Sequence, residues 1–139
     1  MKKLFSTGTS NTAFNIGTLV LRLGFGLLML QHGFQKLSHY GEMLKVFRDP
    51  TGLMSNSVAL ALTVFAEFFC AAFIVIGLFT RLATIPLIIS SGVAFFIAHK
   101  HVYAPGPGSG ELALLFLIGF IAILLLGPGK ASVDRFIGK

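Results

Sequence analysis

The chain has no tryptophan, a single cysteine and only five acidic residues among its 139. Each scarcity excludes something. With Cys70 alone, no internal disulfide, no Cys-x-x-Cys redox pair and no thiolate-rich metal site can form. Cys70 lies in an apolar run and reads as a small buried hydrophobe. Any redox chemistry therefore does not come from a dithiol of this protein. Charged residues make up 12% of the chain, too few to cover the surface of a soluble domain this small. The net charge is +6, yet the basic residues occur in pairs and singles and not as a stripe. They read as topology signals and partners for lipid head groups, with no nucleic acid expected.

What the sequence does contain is hydrocarbon: 55% hydrophobic residues and a mean hydropathy of +0.86, on a length suited to one domain. Four apolar segments stand out, at about residues 16–34, 58–79, 82–98 and 112–126. A membrane-crossing helix needs about 20 residues, within a range of about 17 to 25. The first three segments meet that length, and the fourth recruits Gly110, Glu111 and Gly127 before "GPG" at 127–129 ends it. No small-residue cleavage site follows the first segment, which reads as a retained helix and not a leader.

The expected fold is an all-α membrane protein, a four-transmembrane-helix bundle with a short interfacial helix in the first loop. That loop helix comes from "YGEMLKVFRD", which places Met43, Leu44 and Phe47 on one side and Glu42, Lys45 and Asp49 elsewhere. "FTR" at 79–81 is so short that the second and third spans must be antiparallel neighbours. The expected organisation is a tail over 1–14, the bundle over 15–129 and a second tail over 130–139. An even number of crossings puts both termini on one side. Lys2, Lys3, Arg81, Lys130, Arg135 and Lys139 cluster on that side and assign it to the cytoplasm.

Charges inside the spans carry the functional question, because an unpaired one at membrane depth costs about 2.5–3.5 kcal/mol or more. At 100° per residue, Arg22, Gly26, Met29, Gly33 and Lys36 share a narrow arc with His32 at its edge, while Val20, Leu23, Leu27 and Leu30 lie opposite. Thr63, Glu67, Cys70, Ala71 and Ile74 share a face of the second span. Arg22 and Glu67 fall at similar depths and are expected to form an ion pair, serving either as a structural pin or as part of a site. All four histidines, with Lys36, Tyr40, Tyr103 and Glu111, gather at the opposite end from the termini. His32, Lys36, Glu67 and Glu111 are the candidate contacts for a ligand or proton. His39 and His101 read as ordinary interfacial residues, and Glu111 also suits a first-turn carboxylate facing a helix dipole. "HKH" at 99–101 places its histidines on different helix faces, so neither metal nor haem is expected.

Four stretches, "RLGFGLLMLQHGFQK", "AEFFCAAFIVIGLFTRLAT", "GELALLFL" and "GPGKASVD", follow one another in an order and spacing that resembles the DoxX family of small four-helix membrane proteins. The likeness runs from about residue 16 to 135, and its matching positions are Arg22, Gly33, Lys36, Glu67, Gly77, Arg81, Gly110, Glu111, Gly127, Gly129 and Asp134. The resemblance implies a plasma-membrane component of an oxidoreductase, the family name deriving from a subunit of a thiosulfate:quinone oxidoreductase. Its implied cofactor is a quinone and its implied partner a soluble redox or sulfur-transfer protein, with a homo-oligomer as a further expectation. The long polar loops of relatives with fuller redox roles are missing here, which favours a component over a stand-alone catalyst. Two rival readings remain open: a non-enzymatic anchor or assembly subunit, and a small-solute or proton pathway.

Overall fold

A computed structural model describes residues 2–100 and 109–138. After a single 3-10 turn over Lys2–Phe5, the described chain is helical. α1 spans Asn11–Ser38, α2 spans Tyr40–Val46, α3 spans Asn56–Ile76 and α4 spans Thr80–Ala98. α5 spans Glu111–Leu126 and α6 spans Val133–Gly138. α1, α3 and α4, with 28, 21 and 19 residues, are long and apolar enough to cross a membrane. α5 is apolar but has 16 residues, a rod of about 24 Å.

Local chemistry sets the helix ends. Ser10 and Ser55 cap α1 and α3, accepting from the backbone N–H of Ala13 and Val58. α3 stops at Gly77, whose φ of +77° is the left-handed conformation a residue without Cβ adopts at no cost. The Leu78 N–H then folds back to the Phe73 carbonyl at 2.8 Å. Gly77 could carry no side chain in any case: a Cβ there would meet Ser132 and the Arg22 guanidinium.

The helices alternate in direction, so two ends can be distinguished. The tail end holds the start of α1, the α3–α4 turn and the exit from α5. The loop end holds the close of α1, α2, the start of α3, the close of α4 and the start of α5. α1 and α3 make the most extensive pairing, α4 and α5 come next, and α1 also packs against α5. The core between them contains Met29, Cys70, Ala71, Ile74, Leu87, Phe116, Phe120 and Ile123. The polar and small stripe of α1 faces inward, with Thr18, Arg22, Gly26, Met29 and Gly33 buried. Val20, Leu23 and Leu27 face outward as expected, whereas Leu30 leans in and packs on the core. α2 half-buries Met43 and Leu44 and exposes Glu42 and Lys45.

Two helices are interrupted. Within α3, Phe65–Cys70 winds as a π-helical turn, and α4 closes in a second one over Ala94–Ala98. Such turns insert an extra residue per loop of the ladder and re-aim the side chains around them. Both flank the same region at the loop end.

Candidate functional site

The expected ion pair of Arg22 with Glu67 does not form. Arg22 is among the most buried side chains of the described protein, and its guanidinium is filled by backbone carbonyls. Nε donates to the Ile74 carbonyl at 3.0 Å and Nη2 to that of Val75 at 3.0 Å. Nη1 donates to Pro128 at 2.8 Å and Ala131 at 2.7 Å. The Ile74 and Val75 carbonyls close α3, where the last turn of a helix carries partial negative charge and has C=O groups to spare, and those of Pro128 and Ala131 belong to the non-helical turn after α5. Glu67 sits seven residues, about 10 Å, deeper along α3. Arg22 reaches toward the nearer acceptors at the tail end.

The same end is clasped by the segment after α5. Asp134 accepts from the N–H groups of Phe79 and Thr80 at 2.6 and 2.8 Å, capping the start of α4, while its own N–H donates to the Gly77 carbonyl. Phe79 holds a positive φ of 48°, a strained state for a side-chain-bearing residue that the Asp134 cap secures. The Lys130 N–H donates to the Asn15 amide oxygen, closing the exit turn onto α1.

At the loop end, Glu67 pairs instead with Lys36. Gly33, one turn before Lys36, makes this possible: a Cβ there would lie 2.5 Å from the Glu67 carbonyl carbon, so α1 and α3 touch backbone to backbone. The π turn then presents Glu67 to the last turn of α1. Both partners keep partial access to the exterior, at 25% for the Lys36 side chain and 12% for Glu67.

The pair borders a cavity of about 310 Å³. His32, Ser90, Ser91, His99 and Ser109 complete its polar lining, and Met29, Leu112 and Phe116 supply apolar wall. The His32 ring stands edge-on to Phe116, with centroids 5.8 Å apart and planes at 88°. Ser91 is buried, and its hydroxyl meets no hydrogen-bond partner. A buried hydroxyl left in that state costs about 1–3 kcal/mol. The site thus combines an apolar wall, a cation beside a carboxylate, two imidazoles and an unused hydroxyl. Small-molecule sites have this make-up: apolar walls with a few converging polar groups.

Three of the four candidate contacts, His32, Lys36 and Glu67, meet around this one cavity. The fourth, Glu111, is exposed in the first turn of α5; its N–H donates to Ser109 Oγ, and its neighbours Ser109 and Leu112 reach the lining. His39 is exposed and packs against its own helix through Gln35 and Ser38. His101 and Tyr103 lie outside the described residues. No group of three or more His, Cys, Asp or Glu side chains able to hold a metal occurs among the described residues. Sequence reasoning missed Ser90, Ser91, His99 and Ser109 as lining groups. The histidine layer was a signal for His99. For Ser90 and Ser91, the available signal was a pair of hydroxyls about two turns before the close of an apolar helix.

Residues 17–100 match the model of the DoxX family. The chain belongs to the DoxX family. The matched stretch holds α1 from Gly17 onward, α2, α3 and α4, and every polar residue of the cavity lining except Ser109. Over 132 residues the chain is 27% identical to an uncharacterized membrane protein, Rv3486, of Mycobacterium tuberculosis, an alignment covering 87% of this chain and 81% of that one. It is also 32% identical over 66 residues to an uncharacterized protein of Haemophilus influenzae, covering 45% of this chain and 49% of that one. No solved structure matches it.

Proposed function

We propose that this DoxX-family membrane protein binds a quinone ring in the loop-end cavity and serves as the membrane component of a quinone-linked oxidoreductase system. The observation that carries the reading is the convergence of His32, Lys36, Glu67, Ser91 and His99 on one cavity whose remaining wall, apart from Ser90 and Ser109, is apolar. Its volume, about 310 Å³, takes a substituted benzoquinone or naphthoquinone ring, and the isoprenoid tail leaves between helices into lipid. A bound quinone supplies two-electron, two-proton redox chemistry, with electrons delivered by a soluble partner protein that carries its own redox centre. The chain's residues supply position and protons. The Lys36 ammonium donates a hydrogen bond to a ring oxygen. Glu67, paired with Lys36 and partly open to the exterior, takes up a proton from water at its carboxylate and passes it toward the same oxygen. His32 and His99 are the further proton-carrying groups of the lining.

This reading places the protein in the bacterial plasma membrane with four crossings, α5 completing its short span with the flanking Gly110 and Gly127, and α2 lying in the interface. Both termini are cytoplasmic on the positive-inside rule, which puts the cavity near the outer leaflet. Reaction of membrane-impermeant thiol reagents with single cysteines placed in the loop at 47–55 and in the tail at 130–138 of a Cys70→Ala background checks this. The loop cysteine is expected to react from outside and the tail cysteine only after lysis.

The functional test is direct. Protein purified in mild detergent is extracted with organic solvent and the extract assayed for quinone. Stoichiometric quinone in the wild type and its loss in a folded Glu67→Gln, Lys36→Ala double variant is the expected result. Wild-type protein that carries none and takes up none on addition removes the proposal. A second reading, an anchor for a soluble partner, draws on the exposed Phe136 and Ile137 of α6 at the tail end. It predicts that removing residues 133–139 releases a co-purifying protein while quinone content is unchanged.

A further inference from the structure

Ser91 departs from a habit that four other helical hydroxyls of this protein show. Serine and threonine side chains within helices ordinarily satisfy themselves by bonding back to a carbonyl of the preceding turn. Thr18 does so to Asn15, Ser38 to Gln35, Thr63 to Ala59 and Thr84 to Arg81. Ser91 does not; its hydroxyl is shut away from water without any partner, and its residue borders the loop-end cavity. The other buried hydroxyl without a partner among the described residues, that of Thr80, starts α4 at the tail end and is not part of this lining. One torsion, χ1, decides where the Ser91 hydroxyl stands, and it rotates between staggered positions without disturbing the backbone.

We propose that Ser91 is a ligand-contacting, specificity-determining donor, giving its hydrogen bond to one oxygen of the quinone while Lys36 meets the other. This rests on the quinone reading above and adds to it a requirement on the ligand: a flat ring with two opposed acceptor oxygens. The two donors stand on different helices, Lys36 at the close of α1 and Ser91 on α4, so a ring carrying one acceptor satisfies only one of them. Selection follows from the free hydroxyl itself. An apolar ring of the same shape leaves it unpaired, whereas a quinone satisfies it.

Duroquinone and durene, a matched pair that differs only in the two ring oxygens, give the test by isothermal titration calorimetry in detergent against wild type and Ser91→Ala. Duroquinone has no open ring position for a thiol to add to. The expected result is duroquinone bound about fivefold to tenfold more weakly by Ser91→Ala, with durene bound equally by both proteins. Unliganded Ser91→Ala should melt at or above the wild-type temperature, followed by a thiol-reactive dye that reports exposure of the buried Cys70. Equal duroquinone affinity in the two proteins overturns the role of Ser91 and leaves the quinone reading standing. An equal loss for both ligands, or a lower melting temperature with unchanged affinity, shows a packing role and overturns it as well. If wild type binds durene as tightly as duroquinone, or binds neither, the quinone reading falls and this inference with it.

Discussion

Arg22 and Lys36 are two cations on the same face of one helix, about 21 Å apart along its axis, and their surroundings are opposite. Arg22 is closed in by four backbone carbonyls from the end of α3 and the turn after α5. Lys36 has a carboxylate on one side and a cavity on the other. A cation saturated by backbone can do nothing except hold those segments together. A cation with an opening beside it can exchange its partner for a ligand. The tail end is therefore a clasp and the loop end a site, and variants should separate the two.

The largest effect belongs to the clasp. Arg22→Met takes a donor from four carbonyls at once, of which only that of Ile74 keeps another in the Gly77 N–H, and should cost about 3 kcal/mol or more, seen as loss of folded, monodisperse protein in detergent. Arg22→Lys keeps the charge but lacks the guanidinium fork, and should retain folded protein at a lower melting temperature. Next comes the contact that builds the site. In Gly33→Ala the new Cβ would lie 2.5 Å from the Glu67 backbone, which cannot move aside as a side chain would. A loss of about 1–3 kcal/mol in stability and a marked fall in quinone affinity are expected together. Gly24 offers the control on the same helix: its Cβ position is open, so Gly24→Ala should leave quinone affinity unchanged and stability equal or slightly higher.

Asp134→Ala comes third. It removes the cap on α4 and should cost about 1 kcal/mol, measured by thermal unfolding, with ligand affinity untouched. The smallest effect is in the loop between α2 and α3. Burial alone would raise the Asp49 carboxyl. The N–H groups of Met54, Thr51 and Leu53 and the Thr51 hydroxyl outweigh it and hold Asp49 below the ordinary carboxylate value. A carboxyl depressed by folding stabilises the loop above the unfolded value, and that stability disappears as pH falls through the folded one. Hydrogen exchange at Leu53 and Met54 should accelerate, relative to the intrinsic rate, only on acidification below the usual carboxylate range.

Much of this comparison was legible in the residues. Hydropathy marks every long helix, and the 3.6-residue period picks out the inward stripe of α1 from Arg22 to Lys36. Chain direction gathers the histidines and Lys36 at one end. The partner assignments were not legible. Sequence letters pair charges with charges, which joins Arg22 to Glu67. The true acceptors of Arg22 are carbonyls, a group every residue carries and no letter distinguishes. Which carbonyls are free depends on where α3 and α5 end. The pairing of Glu67 with Lys36 depends on a π turn, which has no compositional signature, and on the bare backbone of Gly33. Ser91 looks like any helical serine until its hydroxyl is seen to lack the usual bond to the preceding turn.

Photolabelling with an azido-quinone tests the central claim most directly, with the modified peptides located by mass spectrometry. The account predicts label within residues 29–36, 67 and 90–99, displaced by excess duroquinone. Saturable label at the tail end, around residues 18–26 or 127–134, would contradict it.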